Sequence, residues 1–375
     1  MTKWHTAVWV YHQHINNVLT FSTVGNSKGS PVSRKKKIAV SKKLGSALAA
    51  AVLAVVTPVI ATDSETTVLR IGTGGSGGTY YTIGSLLAES ISDSDINRKI
   101  NSYSIPGLQA MAQRSNGSVS NVTEIGNGLL EAGLAQADVV HWAYHGIGPF
   151  GSTAANPGLR VVGSLYLESL HLVVRTGLGI NSIRGLKGLR ISFDEIGSGT
   201  YTDVRPLVRA FGLSEEDIEV VYLKPIDAID RLLRNKLDGF FILAGYPINA
   251  VKKLIDNGDA EIVSIAGPEV DKLLNNFDFF IRDSMPPGTY ANEVAVPTLS
   301  VAAQLVVNVE LDIDLVYGIT KLLWDEKTLH RLSEGHAKGH DIQLHSALSG
   351  ISIPLHRGAE KYYRENGVLN NGPSH

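Results

Sequence analysis

Two glycine- and hydroxyl-rich phrases have the residue types and spacing to bind a small ligand. They are Gly72-Thr-Gly-Gly-Ser-Gly-Gly-Thr-Tyr-Tyr81 and Ile196-Gly-Ser-Gly-Thr-Tyr201. The first follows the strand-like run Val68-Leu-Arg-Ile71, the second Leu189-Arg-Ile-Ser-Phe193, and each opens a helix-like run. Such a corner leaves backbone N–H groups facing open space, backed by the partial positive charge of a helix N-terminus. Glycine also serves tight turns that bind nothing. Hydroxyls shift the balance: Thr79, Tyr80 and Tyr81 open one helix, and Ser198, Thr200 and Tyr201 the other. These groups can cap a helix or meet a ligand oxygen. One helix end gives an exposed carboxylate only ~0.3–1 kcal/mol, whereas micromolar affinity needs about 8 kcal/mol. Capture therefore requires both corners, converging on one anionic guest within a cleft that closes over it.

Other chemistries fit less well. Gly72-x-Gly74-x-x-Gly77 matches the dinucleotide fingerprint, but the next expected strand, Asn101-Ser-Tyr-Ser-Ile-Pro106, lacks the acidic residue that holds a ribose. A P-loop needs Gly-Lys-Ser/Thr where Gly78-Thr79 stands. Gly74-x-Ser76-x-Gly78 matches a nucleophile elbow, yet only one strand precedes it beyond the leader. His141 and His145 share a helix face without the Glu of a zinc-protease motif, which favours packing. His336, His340 and His345 are loosely spaced in a loop-like stretch, where hydrogen-bonded or solvated histidines are the ordinary outcome.

The positioning elements alternate. Strands are expected at 68–72, 100–105, 132–135, 161–165, 171–174, 189–193, 218–222, 240–243, 262–265 and 301–309. Helices are expected at 79–92, 119–132, 138–146, 200–211, from Pro225, at 247–257, 312–324, 325–334 and 356–365. Ile226, Ile229, Leu232, Leu233 and Leu237 fall on one face of the helix opened by Pro225. Strands alternating with helices give an α/β class with mostly parallel sheets and ligand sites beyond strand C-termini. The chain of 375 residues is long enough for about two domains.

Charge and composition narrow the partners. The first 61 residues carry eight Lys/Arg and no Asp or Glu, leaving 26 basic against 36 acidic residues in the remainder. An acidic body argues against nucleic acid or an anionic membrane surface as partner. The absence of cysteine excludes disulfides, thiolate metal sites and a cysteine nucleophile. Arg34-Lys-Lys-Lys37 and Lys42-Lys43 precede an apolar run, Leu44–Ile60, ending at Val59-Ile60-Ala61. This pattern reads as a signal peptide over about 34–61, with an uncleaved membrane anchor as the alternative. Either places the body outside the cytoplasm. Residues 1–33 do not fit a conventional leader, and a true start at Val32 is expected.

The motifs, taken in order, resemble the TAXI family of TRAP-transporter solute receptors. Those carrying the resemblance run from Ile71-Gly-Thr-Gly-Gly-Ser-Gly-Gly-Thr-Tyr-Tyr81 through Asn116-Gly-Ser-Val-Ser-Asn121 and Ala132-Gly-Leu-Ala-Gln-Ala-Asp138 to Trp142-Ala-Tyr144. Gly197-Ser-Gly-Thr200, Leu237-Asp-Gly-Phe-Phe241, Ala244-Gly-Tyr-Pro247, Pro287-Gly-Thr-Tyr290, Leu315-Val-Tyr317 and Ile353-Pro-Leu-His-Arg-Gly-Ala-Glu-Lys-Tyr-Tyr363 follow.

The resemblance implies a two-lobed, type II periplasmic-binding-protein-like fold with a ligand cleft between lobes. Lobe I is expected at 66–174 plus 301–375 and lobe II at 175–300, with hinges near His171–Val174 and Val301–Val307. It further implies a periplasmic receptor with no cofactor and no catalytic residue. Its guest would be a small anionic or zwitterionic solute such as glutamate or 2-oxoglutarate, passed to a TRAP membrane permease subunit. By motif, Gly77, Thr79 and Tyr80 form the first corner. Ser118, Asn121, Gln136 and Asp138 contribute from neighbouring loops, and Ser198, Gly199, Thr200 and Tyr246 close from the second lobe. The family more often has Gly at Asn116 and Ser at Ala137, and loss of that hydroxyl bears on the substrate. Asp138 is equally an expected helix N-cap. The alternatives are a same-fold module for an ABC importer or sensor, and an extracytoplasmic hydrolase.

Overall fold

The computed structural model describes residues 67–93 and 108–369. The expected leader (1–61), the expected strand at 100–105 and the expected C-terminal tail around Pro373 lie outside the described residues. Within them ten strands join one mixed sheet. They are β1 (Val68–Gly72), β2 (Gln109–Gln113), β3 (Ala132–Gln136), β4 (Leu159–Arg175), β5 (Arg190–Ser192), β6 (Glu219–Val221), β7 (Gly239–Ala244), β8 (Ala260–Val263), β9 (Ile281–Met285) and β10 (Val296–Asn308). The α-helices are α1 (Thr79–Ser92), α2 (Ser118–Gly126), α3 (Ala137–His145), α4 (Gly199–Ala210), α5 (Pro225–Leu233), α6 (Asn249–Asp256), α7 (Pro268–Asn276), α8 (Ile313–Leu323), α9 (Glu326–Gly335) and α10 (Arg357–Glu365).

The sheet runs β2-β1-β3-β10-β4-β7-β5-β6, with β8 also on β4 and β9 also on β10. Its two flanks are parallel, β2-β1-β3 and β7-β5-β6. Every antiparallel pairing involves β4 or β10, the two long strands at the centre. This corrects the expectation of mostly parallel pairing: strand–helix units supply the flanks, and two crossing strands join them. β4 pairs with β10 up to Ser169↔Ser300. Beyond that point β4 pairs with β7 and β10 with β9. The hydroxyls of Ser169 and Ser300 both donate to Asp283 Oδ2 at this exchange.

The expected strands at 161–165 and 171–174 are one 17-residue strand. Glu168, Ser169 and His171 look like an interruption in sequence but are buried, since this strand is covered on both faces. β2 escaped detection because Gln-Ala-Met-Ala-Gln carries no β-branched or aromatic residue and sits at the sheet edge. β10 begins at Val296, ahead of Val301, with Pro297 inside its stretch paired to β9. β9 and α7 were not foreseen; Ile281-Arg-Asp-Ser-Met285 is mostly exposed and polar.

Separate apolar clusters back the two flanks. Ile71, Leu87, Leu134, Leu305 and Tyr363 belong to one, and Leu172, Ile191, Phe193, Leu207 and Phe241 to another. Near the C-terminus Tyr363 donates to Val162 O (2.8 Å) and accepts from Trp324 Nε1 (3.0 Å), tying α10 to β4. Among the described residues no helix is long and apolar enough to cross a membrane.

Candidate functional site: a cleft ringed by helix N-termini

The parallel flanks dictate where a site can form. β1, β2, β3, β5 and β6 each lead into a helix, so the N-termini of α1 to α5 gather beyond the strand C-termini. A cavity of about 290 Å³ lies there, lined by Gly74–Tyr80, Arg114–Ser118, Gln136, Glu168, Asp194, Glu195, Ser198–Thr200, Lys224–Ile226 and Ile242–Ala244. Gly78, Gly117, Gln136, Ser198 and Lys224 are the N-caps of those five helices, and all five line the cavity. Each helix end presents roughly half a positive charge and unpaired N–H groups. The two glycine corners thus converge as the sequence requires.

Direct contacts bind the corners together. Ser120 N donates to Gly197 O (3.2 Å) and Asn116 Nδ2 to Ile196 O (3.4 Å). Thr79 Oγ1 donates to Gly245 O (3.2 Å) and accepts from Gly245 N (3.1 Å). Gln136 reaches furthest: its Oε1 accepts from Ser118 Oγ (3.1 Å), and its Nε2 donates to Asp203 Oδ2 (2.6 Å) on α4. Gln136 crosses so close to Gly199 that a Cβ there would stand 1.4 Å from Oε1. A side chain at position 199 would have to displace Gln136.

Of the residues singled out in the sequence, Gly77, Thr79, Tyr80, Ser118, Gln136, Ser198, Gly199 and Thr200 line the cavity. Three do not. Asn121 is fully buried behind the first corner, donating to Thr73 O and Leu134 O (both 2.7 Å). Tyr246 lies in a neighbouring groove under the Lys338 ammonium, which sits 3.9 Å from the ring centroid. Asp138 is fully buried in the first turn of α3. It is not the N-cap either: Gln136 holds that position. Ser198 caps α4 as expected, accepting from Tyr201 N (3.1 Å). Thr200 accepts from Leu243 N (3.1 Å), so its hydroxyl has a structural bond besides facing the cavity.

The cavity also holds charges that the motifs did not show. Glu168 stands in the wall, only 3 % exposed, with Tyr80 close enough to hydrogen-bond its carboxylate. Burial, with no partner of opposite charge in contact, pushes Glu168 up to about 8. Asp194 is pushed up to about 7 by burial, against Glu195 N–H and the hydroxyls of Thr200 and Ser198. It adopts a left-handed conformation at φ 70°, uncommon outside glycine. Exposed Arg114 and Lys224 stand at the rim, Lys224 with Glu195 at 3.6 Å. A sequence signal existed for Glu168, the lone carboxylate in a run from Leu159 to Val174 that is otherwise almost free of charge. Asp194-Glu195, directly ahead of the second glycine phrase, was another.

The arrangement can hold a small solute with separated charges. Amide-rich helix ends and rim cations suit carboxylate oxygens, and the buried carboxylate suits an ammonium group.

Comparison with known proteins supplies the family. The periplasmic binding protein BugD superposes with a TM-score of 0.48 at 14% identity, over 81% of this chain and 98% of that one. The alkanesulfonate-binding protein SsuA of Xanthomonas axonopodis pv. citri, bound to MOPS, gives 0.41 at 15% identity over 73% and 82%. The arginine-bound form of truncated ArgBP from T. maritima gives 0.40 at 13% identity over 68% and 94%. Likenesses this weak say nothing about what this chain binds. The family model is decisive: residues 71–367 match that of the NMT1-like family, of periplasmic-binding-protein type, and the chain belongs to that family.

Proposed function

We propose that this protein is an extracytoplasmic solute receptor without catalytic chemistry. It encloses a small carboxylate or amino acid, of glutamate or 2-oxoglutarate type, between two lobes and delivers it to the membrane subunit of a TRAP-type transporter. Lobe I is residues 66–174 plus 301–375, and lobe II is 175–300. One observation carries the reading: both glycine corners, with five helix N-termini, line a single cavity of about 290 Å³. That size suits a small solute, and five helix N-termini bring their partial positive charge to its wall. Buried Glu168, which holds its proton near neutrality in the empty cleft, suits an amino acid, because an ammonium group beside it would let it ionise and form a charged pair that 2-oxoglutarate cannot offer.

Thermal unfolding of the purified protein with L-glutamate, 2-oxoglutarate, L-arginine and ethanesulfonate tests this. A binder at a hundredfold its Kd stabilises by about 2.7 kcal/mol. L-Glutamate is expected to raise the Tm most. Glu168→Gln should weaken L-glutamate about 10- to 100-fold, the scale of one lost charged hydrogen bond, while sparing 2-oxoglutarate. No stabilisation by any small carboxylate or amino acid would overturn the reading. Delivery is tested in proteoliposomes with a TRAP permease, where uptake should need an ion gradient and no ATP. ATP-driven uptake through an ABC permease would replace that assignment.

A further inference from the structure

Outside the cavity wall, the least expected polar cluster joins α3 to α4. Asp138 and Asp203 are 0 % and 2 % exposed, on helices that follow strands of opposite flanks. Gln136, two residues before Asp138, donates to Asp203, and the two carboxyls lie near enough for each to act on the other's proton. No donor among the described residues meets either oxygen of Asp138, or Oδ1 of Asp203, with hydrogen-bond geometry, although the Val139 N–H and the Gln136 side chain lie near enough to Asp138 to favour its charged form. The other oxygen of Asp203 accepts from Gln136, the side chain that spans the cleft. Two carboxylates are acceptors only, so this contact becomes a bond when one of them keeps a proton.

We infer that Asp138 and Asp203 form a proton-sharing carboxyl pair that latches the two lobes together, so that closing the cleft takes up a proton and losing it drives the lobes apart. The inference rests on the two-lobe reading above but on no particular ligand. In the closed form one proton lies between the pair: one carboxyl donates its O–H, and the other accepts with its full charge. When that proton leaves to solvent, two buried anions remain in contact, and separation restores water to both. Burial raises both groups, Asp203 further through Asp138's charge, which agrees with retention of that proton.

The groups facing the pair do not replace the proton. Glu168 on β4 is an acid and adds repulsion. Lys338 acts on Glu168 through its charge and is itself paired with Asp341 (2.9 Å). Around Asp203, the small space toward α7, β9 and β10 is walled by Leu170, Leu207, Leu243, Leu273, Phe280 and Leu299, with Ser300 engaged by Asp283. His141, one turn along α3, faces His145 and Phe279. No Lys or Arg among the described residues pairs with either carboxyl.

Small-angle scattering of the ligand-free full-length protein tests the latch. The wild type should be compact at pH 5.5 and gain radius of gyration by pH 8.5. Asp203→Asn supplies a permanent N–H to Asp138 and still accepts from Gln136, so it should lose that gain and stay compact at both values. Glu168→Gln should open as the wild type does. The inference is overturned if the wild type keeps one radius across this range, if Asp203→Asn opens equally, or if Glu168→Gln alone abolishes opening. Should Asp203→Asn fail to fold, Asp138→Asn gives the same comparison. Because no solute is present, failure here leaves the receptor assignment standing, and failure of solute binding leaves the latch standing.

Discussion

At Gly199 the absence of a Cβ leaves room for the Gln136 side chain to cross the cavity. The Gln136 side chain lies where a Cβ would be, and that same side chain links Ser118 to Asp203. Gly199→Ala must displace Gln136 and break the link. Overpacking of this kind costs about 1–3 kcal/mol, so chemical denaturation should show that loss, together with weaker solute binding in calorimetry. Unchanged binding would mean that Gln136 is not part of the gripping surface. Thr200 teaches a related caution. Thr200→Val removes a cavity hydroxyl but also strands the Leu243 N–H, so weakened binding there has two causes. Residue types at the glycine corners were legible because backbone chemistry needs glycine and hydroxyls in sequence order. Asp203 was not, and Glu168 was marked only by its isolation in an apolar run, since a carboxylate in a strand or helix acquires meaning only from what faces it.

Among elements, the starts of helices were the most readable features and the edges of strands the least. Ser198 and Pro225 mark where α4 and α5 begin because capping and proline preferences are local. β2 and β9 carry no such mark, since sheet membership depends on a partner strand. The packing of α8 against α10 depends on Gly358, where a Cβ would lie 2.3 Å from Ile313 O and 2.6 Å from Tyr317 N. Gly358→Ala should therefore push these helices apart and cost about 1–3 kcal/mol, read as a lower Tm. This contact is remote from the cavity lining, so solute affinity should stay within twofold. A large affinity loss would show that α10 helps to set the cleft. The strands exchange partners at Ser169 and Ser300, two residues ahead of the expected hinge at His171–Val174, and we propose that the lobes cross and bend there.

For the molecule as a whole, buried carboxyls couple stability to pH. Glu168 near 8 and Asp194 near 7 stand above the roughly 4 of unfolded carboxyls. The folded chain then holds protons that the unfolded chain has released, so stability falls as pH rises. That contribution is full below about pH 4, declines toward neutrality and is lost once the pH passes through about 7 to 8. Buried His171, held down to about 4 against an unfolded value near 6.5, opposes this trend at lower pH, so calorimetry of the ligand-free protein should show the Tm falling from pH 6.5 to 8 and levelling above, with Glu168→Gln flattening the upper part. A Tm that rises over this interval would contradict the assignment of buried, protonated carboxyls. The sequence by itself determined the alternation of strands and helices, the two amide-bearing corners and their need for each other, because these follow from local backbone chemistry and side-chain periodicity. Only the tertiary structure decided that five helix ends meet at one cavity, that an acid stands in its wall, and that Asp138 meets Asp203. Those are encounters between segments far apart in the chain, and their energies arise from shared burial, which no single segment encodes.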